Sequence, residues 1–275
     1  MIDAHHHLWD LSKVHYPWLE AKGVVRFFGD PTPIQRNYLL KEFRENAKVE
    51  GFLASVHIQV GAADPVAEAM WIDSIAEANP DWPLVQVVHC DLTSSTLDKD
   101  LDLFQTIPSI RGVRQIVGRS SEEDTKSGTN DLLSSSAFCD GIAELGNRNL
   151  SFDLQLTPEL IEQAANVLSA APQTKTALCH AGSPGDRSEQ GLAKWSKNLR
   201  LLSDIENVFC KISGLGMFDH GWTQNSITPI INECIDQFGS SRCMFGSNFP
   251  VDSLSSSFKA LFERLTSIID EKYFE

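Results

Sequence analysis

Strand-like and helix-like segments alternate along the whole chain, and this constrains its fold more than any other feature. The apolar runs are Ile2–Leu8, Gly51–Val60, Pro83–Leu92, Ile110–Val117, Leu150–Leu156, Thr174–Ala181, Asn207–Gly214 and Cys243–Ser247. Between and after them lie segments whose apolar residues recur at helical spacing: Val66–Ala78, Pro158–Ala170, Gly191–Leu202, Ser226–Phe238 and Ser255–Ile269. Thr157 and Pro158 suit the cap and first turn of one of these helices. Neighbouring parallel strands can be joined only by a crossover, so strands alternating with helices imply a parallel sheet. Eight such units in 275 residues specify a (β/α)8 TIM barrel. The expectation is one such domain over residues 1–275. A doubly wound open sheet is the second choice, and its glycine-rich phosphate loop is missing from the sequence.

In this fold the active site lies at the C-terminal ends of the strands. Polar residues gather there: His5 and His7, Gln59, Asp91, Arg114, Asp153 and Gln155, His180, Lys211 and Ser213, and Asn248. Alternate residues of a strand share a face, so Asp3, His5 and His7 point one way and Ala4 and His6 the other. The same rule puts Ser55, His57 and Gln59 on one face of the second strand, read as the inward one. Asp10–Gln35 is longer than packing requires and carries Trp18, Arg26, Phe27 and Phe28. It is read as a lid over the mouth, because long loops in compact domains are usually functional. The polar stretch Arg119–Asp131 is the second long connection.

Composition excludes several roles. A net charge of −14 with no basic run repels nucleic acid and anionic membrane surfaces. No apolar run is long enough to span a bilayer. The six cysteines are dispersed and several lie in strand-like runs, the usage of reduced thiols in a cytoplasmic enzyme. The first strand begins at once, which leaves no room for a signal peptide. A homodimer is the ordinary assembly for such a chain.

Ile2-Asp3-Ala4-His5-His6-His7-Leu8-Trp9, Gly112-Val113-Arg114-Gln115, Ser151-Phe152-Asp153-Leu154-Gln155-Leu156, His180-Ala181-Gly182, Lys211-Ile212-Ser213-Gly214 and Gly246-Ser247-Asn248-Phe249-Pro250 together resemble the amidohydrolase superfamily. The resemblance is to the amidohydrolase-related branch that contains L-fuconolactonase, L-rhamnonolactonase, pyrone dicarboxylate lactonase and sulfomuconolactone hydrolase. It extends over nearly the whole chain. It implies a TIM barrel that hydrolyses a lactone, often of a sugar acid or another anionic molecule, and so a place in carbohydrate metabolism.

One departure from that pattern matters most. Where the family usually has an aspartate after strand eight, acting as metal ligand or base, this chain has Asn248. An amide carries no charge and takes up no proton. Asp252 lies four residues on. No bridging lysine stands on strand four, which argues against two metals. Three routes remain. In one, His5, His7 and His180 hold a single divalent ion, zinc by preference, whose bound water ionises near pH 7 without an aspartate. In another there is no metal: His180 or Asp153 is the base, Asn248 orients the water, and His5 or His7 donates to the oxyanion. In the third, a substrate hydroxyl attacks and the enzyme is a lactone isomerase. A metal-dependent decarboxylase is a further alternative, disfavoured by Asn248. Arg114 and Lys211 are expected to clamp a substrate anion, with Gln155, Gln59, Arg26 and Trp222 as further contacts. Arg187 is a second candidate cation, and Met217 a candidate apolar wall.

Overall fold

The computed structural model describes residues 1–118 and 128–274. Eight parallel strands form one sheet in sequence order: β1 (Ile2–His6), β2 (Ala54–Ile58), β3 (Leu84–His89), β4 (Ile110–Ile116), β5 (Ser151–Gln155), β6 (Thr176–Leu178), β7 (Val208–Ile212) and β8 (Cys243–Phe245). A short helix α1 (Pro17–Glu20) lies in the loop after β1. The outer layer is formed by α2 (Leu40–Val49), α3 (Pro65–Ala78), α4 (Leu97–Gln105), α5 (Ser136–Asn147), α6 (Ile161–Ser169), α7 (Glu189–Ser203), α8 (Gln224–Phe238) and α9 (Phe258–Phe274). One helix after each strand gives the expected (β/α)8 barrel.

Local chemistry sets several boundaries. Pro65 opens α3, and the Asp64 carboxylate before it accepts from the backbone N–H groups of Val66 and Ala67. These are donors that the helix itself leaves unpaired. α8 starts with a reciprocal capping box between Thr223 and Ser226. Thr157 occupies the expected cap position, but its side chain makes no cap bond. Pro158–Leu160 is a 3-10 turn leading into α6. The final helix starts at Phe258 rather than Ser255 and runs past Ile269, because Val251–Leu254 forms a 3-10 turn of its own.

The ring closes where β8 meets β1. The His5 carbonyl accepts from the Asn248 N–H at 2.7 Å, and the Phe249 carbonyl from the His7 N–H at 2.8 Å. The Asp3 carboxylate receives the N–H groups of His5 and Ser247, both at 3.0 Å. Gly246 makes this approach possible, since a Cβ there would lie 2.5 Å from the Cβ of His5. Outside the seam, Phe52 packs on Phe245 and Phe262. Closure therefore sets Asn248 beside His7, although 241 residues separate them along the chain.

The second strand corrects the expected inward face. The Ser55 hydroxyl is bonded by His6 Nε2 and Trp82 Nε1, both at 2.9 Å. The Nδ1 of His57 accepts from the Leu8 N–H, and its Nε2 lies 3.6 Å from the Glu68 carboxylate on α3. Both residues therefore point into the helical layer, where His6 also stacks on Phe43 of α2. Of the three, Gln59 reaches the mouth. Alternation marks two faces but does not say which one is inside, and here a buried polar network joins strands to helices. β6 is shorter than its apolar run, because His180, Ala181 and Ser183 adopt left-handed backbone angles (φ 55°, 53° and 57°) and turn the chain off the strand.

Candidate active site

His5 and His7 leave β1 side by side, their ring centres 5.1 Å apart, and His180 reaches across from the turn after β6, 4.6 Å from His5. Gly214, at φ 62°, makes room for that ring, since a Cβ there would fall 2.4 Å from His180 Nδ1. His180 Nδ1 is 3.0 Å from the Ser213 hydroxyl. All three imidazoles are buried. Burial holds His5 and His7 well below the usual imidazole pKa and brings His180 down to about 3, with neighbouring positive charges adding to the effect. They are therefore neutral lone-pair donors near neutral pH. Neither ring nitrogen of His5 has a hydrogen-bond partner, a costly state for a buried polar group unless it serves a ligand.

The His7 ring has a fixed tautomer. Its Nδ1 lies 2.7 Å from the Ile58 carbonyl, which can only accept, so Nδ1 carries the hydrogen. Nε2 then presents a lone pair, and 3.2 Å away stands the oxygen of the Asn248 amide. The amide nitrogen donates to Asp252 at 2.9 Å. Two acceptors face each other at the floor of the site, an arrangement that a cation satisfies. By donor chemistry the floor fits a divalent metal. The three imidazoles surround one space but their nitrogens do not all come within 4.8 Å of one another; among the described residues, the trio of His, Cys and carboxylate donors that does is His5, Asp153 and Cys179. Lys211 already pairs with Asp153 there, so a divalent ion bound by that trio would stand against an ammonium group.

Lys211 and Asp153 are thus placed beneath the site and bonded to each other, not aimed at a substrate. Burial pushes the carboxyls of Asp3 and Asp252 up to about 6 and about 7 respectively. Above the floor opens a cavity of about 630 Å³. His7, His180, Asn248, Gln59, Arg114, Gln155 and Arg26 line it, together with Met217. The Arg114 guanidinium donates to the Gln155 side-chain oxygen at 3.0 Å and to the Gln59 carbonyl. No Asp or Glu occurs among the described lining residues. Trp222 is not in this wall: its indole lies 3.3 Å from the Ser255 hydroxyl, and Arg264 sits over its ring. Arg187 is also spent on structure, donating to the carbonyls of Pro184 and Leu215.

Trp18, Phe27 and Phe28 of the loop after β1 cover the mouth as expected. The Trp18 indole donates to the Val60 carbonyl at 2.6 Å, and Phe27 stacks on Phe218 of the loop after β7. Of the second long connection, residues 119–127 lie outside the described ones, and Thr129 reaches the cavity. Sequence reasoning missed His89 and Phe218. His89 pairs in register with Arg114 on the next strand, so the position of Arg114 was the signal that could have found it. Nothing in the Phe218 segment marks it as a partner for Phe27.

The same architecture recurs in known proteins. The Sinorhizobium fredii protein y4mH is 34% identical over 271 residues, covering 98% of this chain and 91% of its own. An L-fucono-1,5-lactonase of Burkholderia multivorans is 25% identical over 269 residues, covering 94% of this chain and 84% of its own. The crystal structure of an amidohydrolase from Burkholderia multivorans with bound zinc superposes with a TM-score of 0.82 at 23% identity, covering 99% of this chain and 92% of that one. The amidohydrolase family profile matches residues 2–268, nearly the whole barrel with its histidine floor, and the chain belongs to that family.

Proposed function

We propose that this amidohydrolase opens a lactone bearing a carboxylate, adding water across the ring ester to release a hydroxy acid and a proton. One observation carries the reading. Neutral imidazoles, with both ring nitrogens of His5 unbonded, and the Asn248 amide form the floor of a cavity whose wall includes the Arg114 and Arg26 guanidinium groups. In a protein of net charge −14, such a cavity selects an anion. The lactonase name of the Burkholderia multivorans relative supports the cyclic ester.

The zinc in the related crystal structure supports a divalent ion at this floor, which His5, His7 and His180 would hold once their rings turn toward one another, since their nitrogens do not all lie within 4.8 Å. When bound, zinc supplies Lewis acidity that lowers the pKa of water and polarises the ester carbonyl. The chain's own residues do the rest. Arg114, braced by Gln155, and Arg26 bind the substrate carboxylate and set the ring over the floor. His7, its Nδ1–H fixed on the Ile58 carbonyl, keeps its Nε2 lone pair directed at the site. Trp18, Phe27 and Phe28 keep bulk water off the reacting ester. The six free thiols fit the reducing cytoplasm, where we place the enzyme.

A pH-indicator assay on carboxylated lactones tests this reading. One proton appears per molecule opened, activity stops with a chelator and zinc restores it. Full activity in tag-free protein holding under about one-tenth equivalent of metal would remove the zinc. The lactone isomerase is the second reading, favoured by Asn248, which offers no base for water. Substrate consumed without proton release would establish it.

A further inference from the structure

Asp252 has no role in the reaction described so far, yet its carboxylate is buried directly behind the site. It is 2% exposed, and its Oδ1 receives the Asn248 amide nitrogen at 2.9 Å. The turn that presents it is built for this contact. The Asp252 N–H donates to the Asn248 carbonyl at 3.1 Å, and Asn248 itself sits at φ 55°, a conformation that asparagine tolerates better than most side chains. With its nitrogen donating inward to Asp252, the amide turns its oxygen toward His7 Nε2, 3.2 Å away.

That distance discriminates between occupants. A water donating to both acceptors along straight hydrogen bonds of about 2.8 Å would need them roughly 4.4 Å apart. Two ligands each about 2.1 Å from one ion, at an angle between about 90° and 109°, stand about 3.0 to 3.4 Å apart. The observed pair falls in the second range. Resting on the zinc reading above, we propose that Asp252 is the positioning residue that turns Asn248 into an oxygen ligand of the divalent ion. The carboxyl group that an aspartate would bring to position 248 is thereby kept one hydrogen bond away, in contact with the amide and out of the coordination sphere. The amide oxygen gains ligand strength from the carboxylate behind it, as imidazole ligands do from theirs.

Zinc affinity of tag-free protein, read by competition with a chromophoric chelator, tests this without any substrate. Asp252→Asn changes one atom and keeps the volume, and a thermal melt checks that it is folded. It leaves a second amide that no longer dictates which way the first one turns. Zinc binding should weaken about 10- to 100-fold, the usual effect of losing an outer partner of a ligand. Asn248→Gly removes the amide at a left-handed position that glycine adopts freely. In that background Asp252→Asn should change zinc affinity less than twofold, because Asp252 acts only through Asn248. Unchanged zinc affinity in Asp252→Asn overturns the proposal and leaves the zinc site standing. An equal loss with and without Asn248 overturns it too. Parent protein that takes up no zinc overturns the zinc reading, and this proposal with it.

Discussion

Arg114 is the residue on which substrate selection turns. It is buried, 5% exposed, yet part of the cavity wall, and Gln155 and the Gln59 carbonyl hold its guanidinium in place. A fork fixed in this way recognises a carboxylate through charge-assisted bonds of about 2–3 kcal/mol. Replacing Arg114 with Gln should lower kcat/KM for a carboxylated lactone roughly 30- to 150-fold. A neutral lactone of the same ring should be hydrolysed at nearly the parent rate. Parallel kinetics on the two substrates check this, and equal losses on both would make Arg114 a structural brace instead. Lys211, the second expected clamp, shows where single-residue reasoning fails. Both cations follow from strand-end positions, but Lys211 is consumed by Asp153, a pairing across two strands that the linear order does not reveal. His5, His7 and His180 were legible because each stands at the end of its strand, and Asn248 because of the Gly-Ser before it and the Pro after it.

Among the elements, the loop after β1 brings Trp18, Phe27 and Phe28 to the cavity. It carries Trp18, whose indole is tied to the Val60 carbonyl at the end of β2 and whose ring packs edge-on against Trp9 and Phe28. Replacing Trp18 with Phe keeps the aromatic contact but removes the donor, at a cost of about 1 kcal/mol. The loop should then sample open positions more often. KM should rise several-fold, with kcat falling less and the melting temperature changing by only a few degrees. A drop in kcat with KM unchanged would show that the loop does not gate the site. The aromatics of this loop were legible as a cover because Asp10–Gln35 is longer than packing requires. The faces of β2 were not, because Ser55 and His57 alternate as an inward pair would, and only Glu68 on α3 and Trp82 reveal that they face out. The length of β6 was equally hidden, since nothing in Leu178-Cys179-His180-Ala181 announces left-handed backbone.

For the whole molecule, the buried titratable groups oppose one another. Asp3 and Asp252 have folded pKa values of about 6 and about 7, above the ordinary carboxylate value. Their contribution is present in acid and is lost as pH rises through those values. The imidazoles of His5, His6, His7 and His180 are held below their usual value by burial. Their contribution is complete above about pH 6.5 and is lost as pH falls, because the unfolded chain takes up protons that the folded one refuses. Between about pH 4.5 and 6 the four imidazoles outweigh the two carboxyls. Unfolding of the zinc-free protein should then take up protons, and stability should fall as pH is lowered through this window. Urea denaturation at pH 6.0 and 5.0 checks this, and a midpoint that does not move would mean that the histidine floor is hydrated and not dry. Zinc that binds only the folded state adds about 2.7 kcal/mol at a hundred times its dissociation constant. Its ligands must be deprotonated to hold it, and in the folded protein they stay neutral well below pH 6.5. The zinc increment should therefore persist to lower pH than at a surface histidine site, and an increment that vanishes by about pH 6 would place the ion outside this floor.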